Sequence, residues 1–361
     1  MMKRLTTFHL IVLISACFSI SCTAQTVVSY TDPNIHYMGR IGMKDDAAEL
    51  TWTASSAVIS FEGTGAKATL QDDTGFDFVT VVVDGTVVNT IQVKNYKKEY
   101  VLAAGLLKGP HKLELFKRTE YEMGRLLFYK FTLDADAKVL PPPVYKHRIE
   151  FYGNSITCGY AIEDLEGKDR GSYEFENGYK SYANITARHF NADYYCIAKS
   201  GIGVTVSWFP YVMPDIYNRT YAMDSTKLWD FKKYTPEVVV VNLFQNDAWI
   251  VLQHDNPNFK ARFGDTPPTL EFIIAAYQQF ISNIRGKYPD AKIICALGAM
   301  DATKKGSPWP GYIEKAVNNM HDKGIYTHFF PYKETGGHPS ESEHKAMAAD
   351  LIKFIEKKMK W

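Results

Sequence analysis

Ile149-Glu150-Phe151-Tyr152-Gly153-Asn154-Ser155-Ile156-Thr157 is a short apolar strand pattern that runs through Gly-Asn-Ser into a helical turn. The turn places Ser155 at the carboxyl end of a strand with its backbone N–H near a helix start. There the amide and the helix dipole can stabilise developing negative charge. Asn154 or Ser155 could equally act only as an N-cap.

Outward from this stretch, short apolar runs recur at 194–198, 238–243 and 292–297. They alternate with amphipathic, helix-length segments at 182–190, 270–288, 312–323 and 341–358. Such alternation implies βαβ units and a central parallel sheet covered on both faces, with reactive groups on the loops at the carboxyl ends of the strands.

Upstream the period changes. Residues 27–133 alternate with period two, with strand patterns at 57–61, 78–83, 100–102, 111–117 and 126–132. Asp84-Gly85 before Thr86-Val87-Val88 is a two-residue hairpin signal. The series predicts an all-β sandwich of jelly-roll type. Leu140-Pro141-Pro142-Pro143 cannot continue a ladder and marks the joint. The expected organisation is therefore multidomain: a sandwich over 25–140, a proline-rich linker over 141–146 and an α/β domain over 147–361.

Residues 1–24 read as a secretory signal, with Lys3 and Arg4 before an apolar run and small residues up to Ala24. Cleavage after Ala24 and lipoprotein processing before Cys22 are both open, and Ser19 argues against the second. Export is expected in either case. No later run is long and apolar enough to span a membrane.

Lys plus Arg number 41 and Asp plus Glu 40, a formal charge of +1 that offers no electrostatic case for nucleic acid. Beyond the signal the cysteines are Cys158, Cys196 and Cys295, each in or beside an apolar run, which suits buried hydrophobes better than disulfides. No Cys or His pair has zinc spacing, so neither metal nor cofactor is expected.

Three further loops carry candidate chemistry. Lys199-Ser200-Gly201-Ile202-Gly203 follows a strand, and Gly201 lets a backbone N–H approach a reacting oxygen. Asn246 lies just past the apolar run 238–243, where its amide can point to the same place, while Asp247 is expected to brace that loop. His338, in Thr335-Gly336-Gly337-His338-Pro339, precedes the last helix and can act as general base on Ser155. Together these loops supply a nucleophile, oxyanion donors (the N–H groups of Ser155 and Gly201 and the Asn246 amide) and a base, in chain order, after successive strands.

With these residues the chain resembles the SGNH, or GDSL-like, serine hydrolases. Asn34 to Ile41, the sandwich, the proline joint and Glu176 to Ala183 further resemble carbohydrate esterase family 2. That resemblance implies a jelly-roll domain joined to an SGNH domain, removing acetyl groups from plant polysaccharides such as xylan or glucomannan. Phe244 stands where the family usually has Gly, which would reshape the pocket beside Asn246. The Asp usual three residues before the His is replaced by Thr335; the resemblance, to a family that includes members in which a main-chain carbonyl receives the imidazole N–H, implies that the Gly336 carbonyl orients His338, with Glu334 as an alternative.

Trp249 and Trp309 are the candidate aromatic contacts for a sugar ring, with ordinary packing the competing role. Two other readings compete with an acetyl esterase. A lipase or thioesterase would want an apolar channel, whereas residues 163–177 are polar. An exported carbohydrate-binding protein with a degenerate site draws its support from the missing Asp.

Overall fold

The computed structural model describes residues 25–44 and 46–361. The candidate signal segment and both of its processing sites lie outside the described residues.

The front half is built from two antiparallel sheets, each of six strands. Their inner faces share one core, in which Leu50, Leu70, Phe128 and Phe131 of one sheet meet Ile59, Phe61, Val81 and Leu115 of the other. That arrangement is the sandwich expected from the period-two pattern. The Asp84-Gly85 turn has φ of 51° and 82°, as a tight hairpin between Phe78–Val83 and Thr86–Gln92 requires.

Strands Gln25–Ser29, His36–Met38 and Ala66–Asp72 were not legible in the sequence. Ala66-Lys67-Ala68-Thr69-Leu70-Gln71-Asp72 alternates correctly but holds few β-branched or aromatic residues. Its central place between two partner strands, through Ala68 and Leu70, holds it as a strand.

The rear half contains a parallel sheet of β1 (His147–Gly153), β2 (Ala192–Ala198), β3 (Val238–Asn242), β4 (Lys292–Leu297) and β5 (Ile325–Phe329). The order is β2-β1-β3-β4-β5. Helices α1 (Ser155–Cys158), α2 (Tyr182–His189), α3 (Gln245–Ile250), α4 (Leu270–Lys287), α5 (Trp309–Met320) and α6 (Glu341–Met359) lie between and after the strands.

Side chains of β1 alternate between two cores, one on each face of the sheet. Ile149 and Phe151 face α2 and α6, through Tyr182, Ala187, Leu351 and Ile355. Tyr152 faces α4 and α5, through Phe280, Ile284 and Ile313. The strand order switches sides at β1, with β2 added on one flank and β3 on the other, and ligands in open parallel sheets collect outside the carboxyl ends of the strands at such a point.

The proline segment runs between Lys138–Val139 and β1. It does not hold the halves apart, because Val58, Val82 and Phe116 on the outer face of one front sheet share a core with Tyr179, Tyr194 and Ala198. Arg40 of the front half, fully buried, pairs with fully buried Glu150 of β1 at 2.9 Å and also donates to the Tyr152 hydroxyl and two carbonyls. Breaking a pair of this kind leaves an uncompensated charge, at a cost of about 3–5 kcal/mol. The halves are energetically one body.

Candidate active site

Ser155 opens α1 directly after β1. Asn154 is its N-cap, its side-chain oxygen accepting the Ile156 N–H at 3.0 Å. The capping role therefore holds, and it fixes the turn that carries the serine hydroxyl.

His338 meets that hydroxyl, with Nε2 at 2.8 Å from Ser155 Oγ. On its other side, Nδ1 lies 2.9 and 3.1 Å from the two carboxylate oxygens of Asp169, and the His338 backbone N–H donates to the same carboxylate at 2.8 Å. A carboxylate only accepts, so Nδ1 carries the proton and Nε2 offers its lone pair to the serine O–H. The bond from His338 holds the Asp169 carboxyl below the usual carboxylate range against its partial burial. The acid is therefore charged at neutral pH.

This geometry corrects the expectation for Gly336. Its carbonyl accepts from the Lys333 ammonium at 3.0 Å, as do the carbonyl and hydroxyl of Thr335, and the imidazole turns to Asp169 instead. Glu334 does not pair with the imidazole either. Asp169 comes from the polar segment 163–177, far from the His in sequence and outside the strand-end pattern. The one available signal was Gly336-Gly337. A Cβ on Gly337, whose φ is +67°, would lie 3.0–3.1 Å from Asp169, so glycine there admits the carboxylate.

Residues 199–202 form a turn at the end of β2, closed by the Ile202 N–H donating to the Lys199 carbonyl, with Gly201 at φ +79°. Asn246 lies in α3 after β3. Its amide NH₂ donates to the Ile202 carbonyl at 2.8 Å and its Oδ1 accepts from Trp208 Nε1 at 3.0 Å. The indole N–H can only donate, which fixes which end of the amide is which. One amide hydrogen remains to point elsewhere. Asp247 braces the loop as expected: fully buried, it accepts the N–H groups of Val204, Thr205 and Val206.

Phe244 does not reshape the pocket. It keeps a left-handed backbone, φ 84°, and its fully buried ring packs against Tyr277 and Trp309 at 4.6 and 5.0 Å. Aromatic burial offsets strain that glycine would avoid.

Trp309 is therefore core, at the start of α5 between Phe244 and Tyr312, and is withdrawn as a substrate contact. Trp249 is half-buried, donates to Asp301 at 3.1 Å, and lines a cleft of about 470 Å³ with Asp169, Tyr332 and Lys333. A second cleft of about 420 Å³, on the side of Asp164, Leu165 and Glu343, also reaches Asp169 and His338. Exposed Trp208, beside both Gly201 and Asn246, is the aromatic residue that sequence reasoning missed.

Cys158, Cys196 and Cys295 are free and buried, and no cluster with metal-ligating capacity occurs among the described residues. Nor is any described helix long and apolar enough to cross a membrane.

The carbohydrate esterase 2 N-terminal family model matches residues 37–143. The chain is 33% identical over 344 residues to the cellulase/esterase CelE of Acetivibrio thermocellus, a match covering 91% of this chain and 40% of that protein's length. It is 25% identical over 372 residues to an acetylxylan esterase / glucomannan deacetylase of Cellvibrio japonicus, covering 98% and 99% of the two. A solved family two carbohydrate esterase from Clostridium thermocellum, in complex with cellohexaose, is 34% identical and superposes with a TM-score of 0.80 over 91% of this chain and 99% of its own. This chain belongs to carbohydrate esterase family 2, and so to the carboxylic-ester hydrolases.

Proposed function

We propose that the protein is an exported esterase that removes O-acetyl groups from plant polysaccharides of the acetylxylan or acetylglucomannan type through a Ser155–His338–Asp169 triad. The observation that carries the reading is the continuous contact from Asp169 through the imidazole to Ser155 Oγ. In the reaction His338 Nε2 takes the hydroxyl proton as Ser155 Oγ attacks the acetyl carbonyl. The N–H groups of Ser155 and Gly201 and the free amide hydrogen of Asn246 receive the oxyanion. The imidazolium, stabilised by Asp169, gives its proton to the departing sugar oxygen. Water, activated by the same imidazole, then releases acetate.

The joint at 141–146 and a jelly-roll description of the sandwich belong to the same reading. Trp249 and Trp208 are the aromatic faces offered to the sugar. A relative named acetylxylan esterase / glucomannan deacetylase and a structural neighbour holding cellohexaose support the substrate class. The charged linings of both clefts, with Asp164 and Glu343 on one side and Asp301 and Lys333 on the other, weigh against a long acyl chain and a lipase. The intact triad weighs against a degenerate binding protein, because the missing carboxylate is supplied by Asp169.

The test is a panel of acetylated xylan, glucomannan and acetyl and octanoyl chromogenic esters, with released acid measured for the wild type and Ser155→Ala. The expected outcome is acetate release from the polysaccharides, little turnover of octanoate, and a loss of at least about 10⁴-fold in Ser155→Ala. Wild-type turnover in that variant would overturn the mechanism.

A further inference from the structure

The oxyanion turn is held by the front sandwich. Ser200, the residue before Gly201, donates its backbone N–H to the Glu120 carboxylate at 2.8 Å. Lys199, its side chain 1% exposed, pairs with Glu122 at 2.6 Å and lies over the Phe209 ring. Glu120 is itself delivered rigidly. The ammonium of Lys117, paired with Asp77 at 2.6 Å, donates to the carbonyls of Thr119 and Glu120, and the Glu120 N–H donates to Glu176.

Burying Glu120 at 1% exposure next to Glu176 is costly, and burial pushes both carboxyls up. A packing role alone would be served better by an uncharged side chain. What the carboxylate controls is a peptide plane. In the turn 199–202 the central peptide, which carries the Gly201 N–H, is the one that flips between turn types I and II. The Ser200 N–H that Glu120 holds belongs to the peptide before it, which is placed alike in both types, so the carboxylate fixes where the turn, and the Gly201 N–H it carries, sits.

We infer that Glu120, on the β-sandwich, is a positioning residue of the hydrolase reaction that sets the position of the Gly201 N–H through Ser200. This inference rests on the reading of Gly201 as an oxyanion donor. It makes the front domain part of the catalytic apparatus whether or not that domain touches sugar.

The test uses the full chain with Glu120→Ala, Glu120→Asp and Glu120→Gln, measuring kcat and KM on a chromogenic acetate. It also measures affinity for methylboronic acid, which forms a tetrahedral adduct on the serine, and thermal unfolding. Misplacement of a reacting group by about 1 Å can cost about 10²-fold. The expected result for Glu120→Ala is a fall in kcat of about 10- to 100-fold. KM should stay within about twofold, and boronate affinity should fall in parallel with kcat. Glu120→Gln, which keeps an acceptor oxygen, restores most of the loss. Glu120→Asp, which withdraws the acceptor with little change in bulk, provides the same readout should the alanine variant not fold.

Folded Glu120→Asp or Glu120→Ala protein with unchanged kcat and boronate affinity would overturn the inference. Loss of activity in Ser155→Ala alongside such a result would leave the esterase reading standing and remove only the positioning role.

Discussion

The two sides of Ser155 are built differently. On the oxyanion side the carboxylates and carbonyl that hold the backbone are buried, Glu120 under Ser200, Asp247 beneath residues 204–206 and the Ile202 carbonyl on Asn246, with Trp208 and Glu122 at the surface. On the base side the Asp169 side chain is 37% exposed and that of His338 13%, and the acid sits on a polar surface segment. The contrast follows from what each side must do. Hydrogen-bond donors to an oxyanion act by being fixed in a water-poor place before charge develops. A base must lose and regain a proton, and keeping its carboxylate partner charged is easier near solvent.

The sharpest way to break this contrast is at the acid. Asp169→Asn would donate to Nδ1, put the proton on Nε2 and remove the lone pair that Ser155 needs. Its kcat should fall by about 10³- to 10⁴-fold. Asp169→Ala leaves the tautomer free, and because water can reach this exposed position its loss should be smaller, about 10²-fold. Steady-state kinetics of the two variants decide it, and equal activities would show that the acid does not set the tautomer.

On the oxyanion side a smaller effect is expected from Trp208→Phe. It keeps the ring but deletes the N–H that orients Asn246, one hydrogen bond worth about 1 kcal/mol, so a loss of roughly tenfold or less in kcat with KM little changed is expected. A change confined to KM would make Trp208 a sugar contact only.

The sides should also differ in the sign of their pH dependence. Below the base, fully buried His344 accepts the Tyr182 N–H at 3.1 Å, and burial pulls its imidazole down to about 3. The unfolded chain binds that proton near pH 6.5 and the folded one does not, so stability present above pH 6.5 is lost as pH falls towards 3. The loss is at most about 1.4 kcal/mol per pH unit. Glu176, beneath the oxyanion turn, behaves oppositely. Its carboxyl is pushed up by burial and by Glu120, so its contribution is complete at low pH and is lost as pH rises through the raised value. Melting temperatures against pH should show a shallower acid slope for His344→Asn and a shallower alkaline decline for Glu176→Gln. Parallel shifts of either curve without a change of slope would count against this assignment.

How much of this was legible follows from how each residue is placed. Ser155, Gly201 and Asn246 stand just past β1, β2 and β3, whose ends Gly153, Ala198 and Asn242 lie in register, so a strand pattern alone points to them. His338 could be read from the Gly-Gly-His-Pro entry to a capped terminal helix. Asp169 could not, because segment 163–177 has no period and is positioned by long-range contacts. Arg118 of the sandwich donates to the carbonyls of Glu174 and Glu176, and Tyr173 stacks on Phe76 at 4.8 Å. Trp309 was misplaced for a local reason. The Pro308-Trp309-Pro310 sequence reads as a loop, yet Trp309 and Pro310 are the first residues of α5, and the ring turns inward. The grip of the front sandwich on the Asp169 segment and on the 199–202 turn was likewise invisible, since nothing in Lys117-Arg118-Thr119-Glu120-Tyr121-Glu122 tells charges that face another part of the chain from charges that face solvent.

The most direct test of the central claim is to mix the protein with a chromogenic acetate, quench in acid within the first turnovers, and map the acetylated peptide by mass spectrometry. The triad predicts one acetyl group on Ser155, accumulating further in Asp169→Asn if deacylation becomes the slower step. Acetyl on another residue, or acetate released at the wild-type rate by Ser155→Ala, would contradict it.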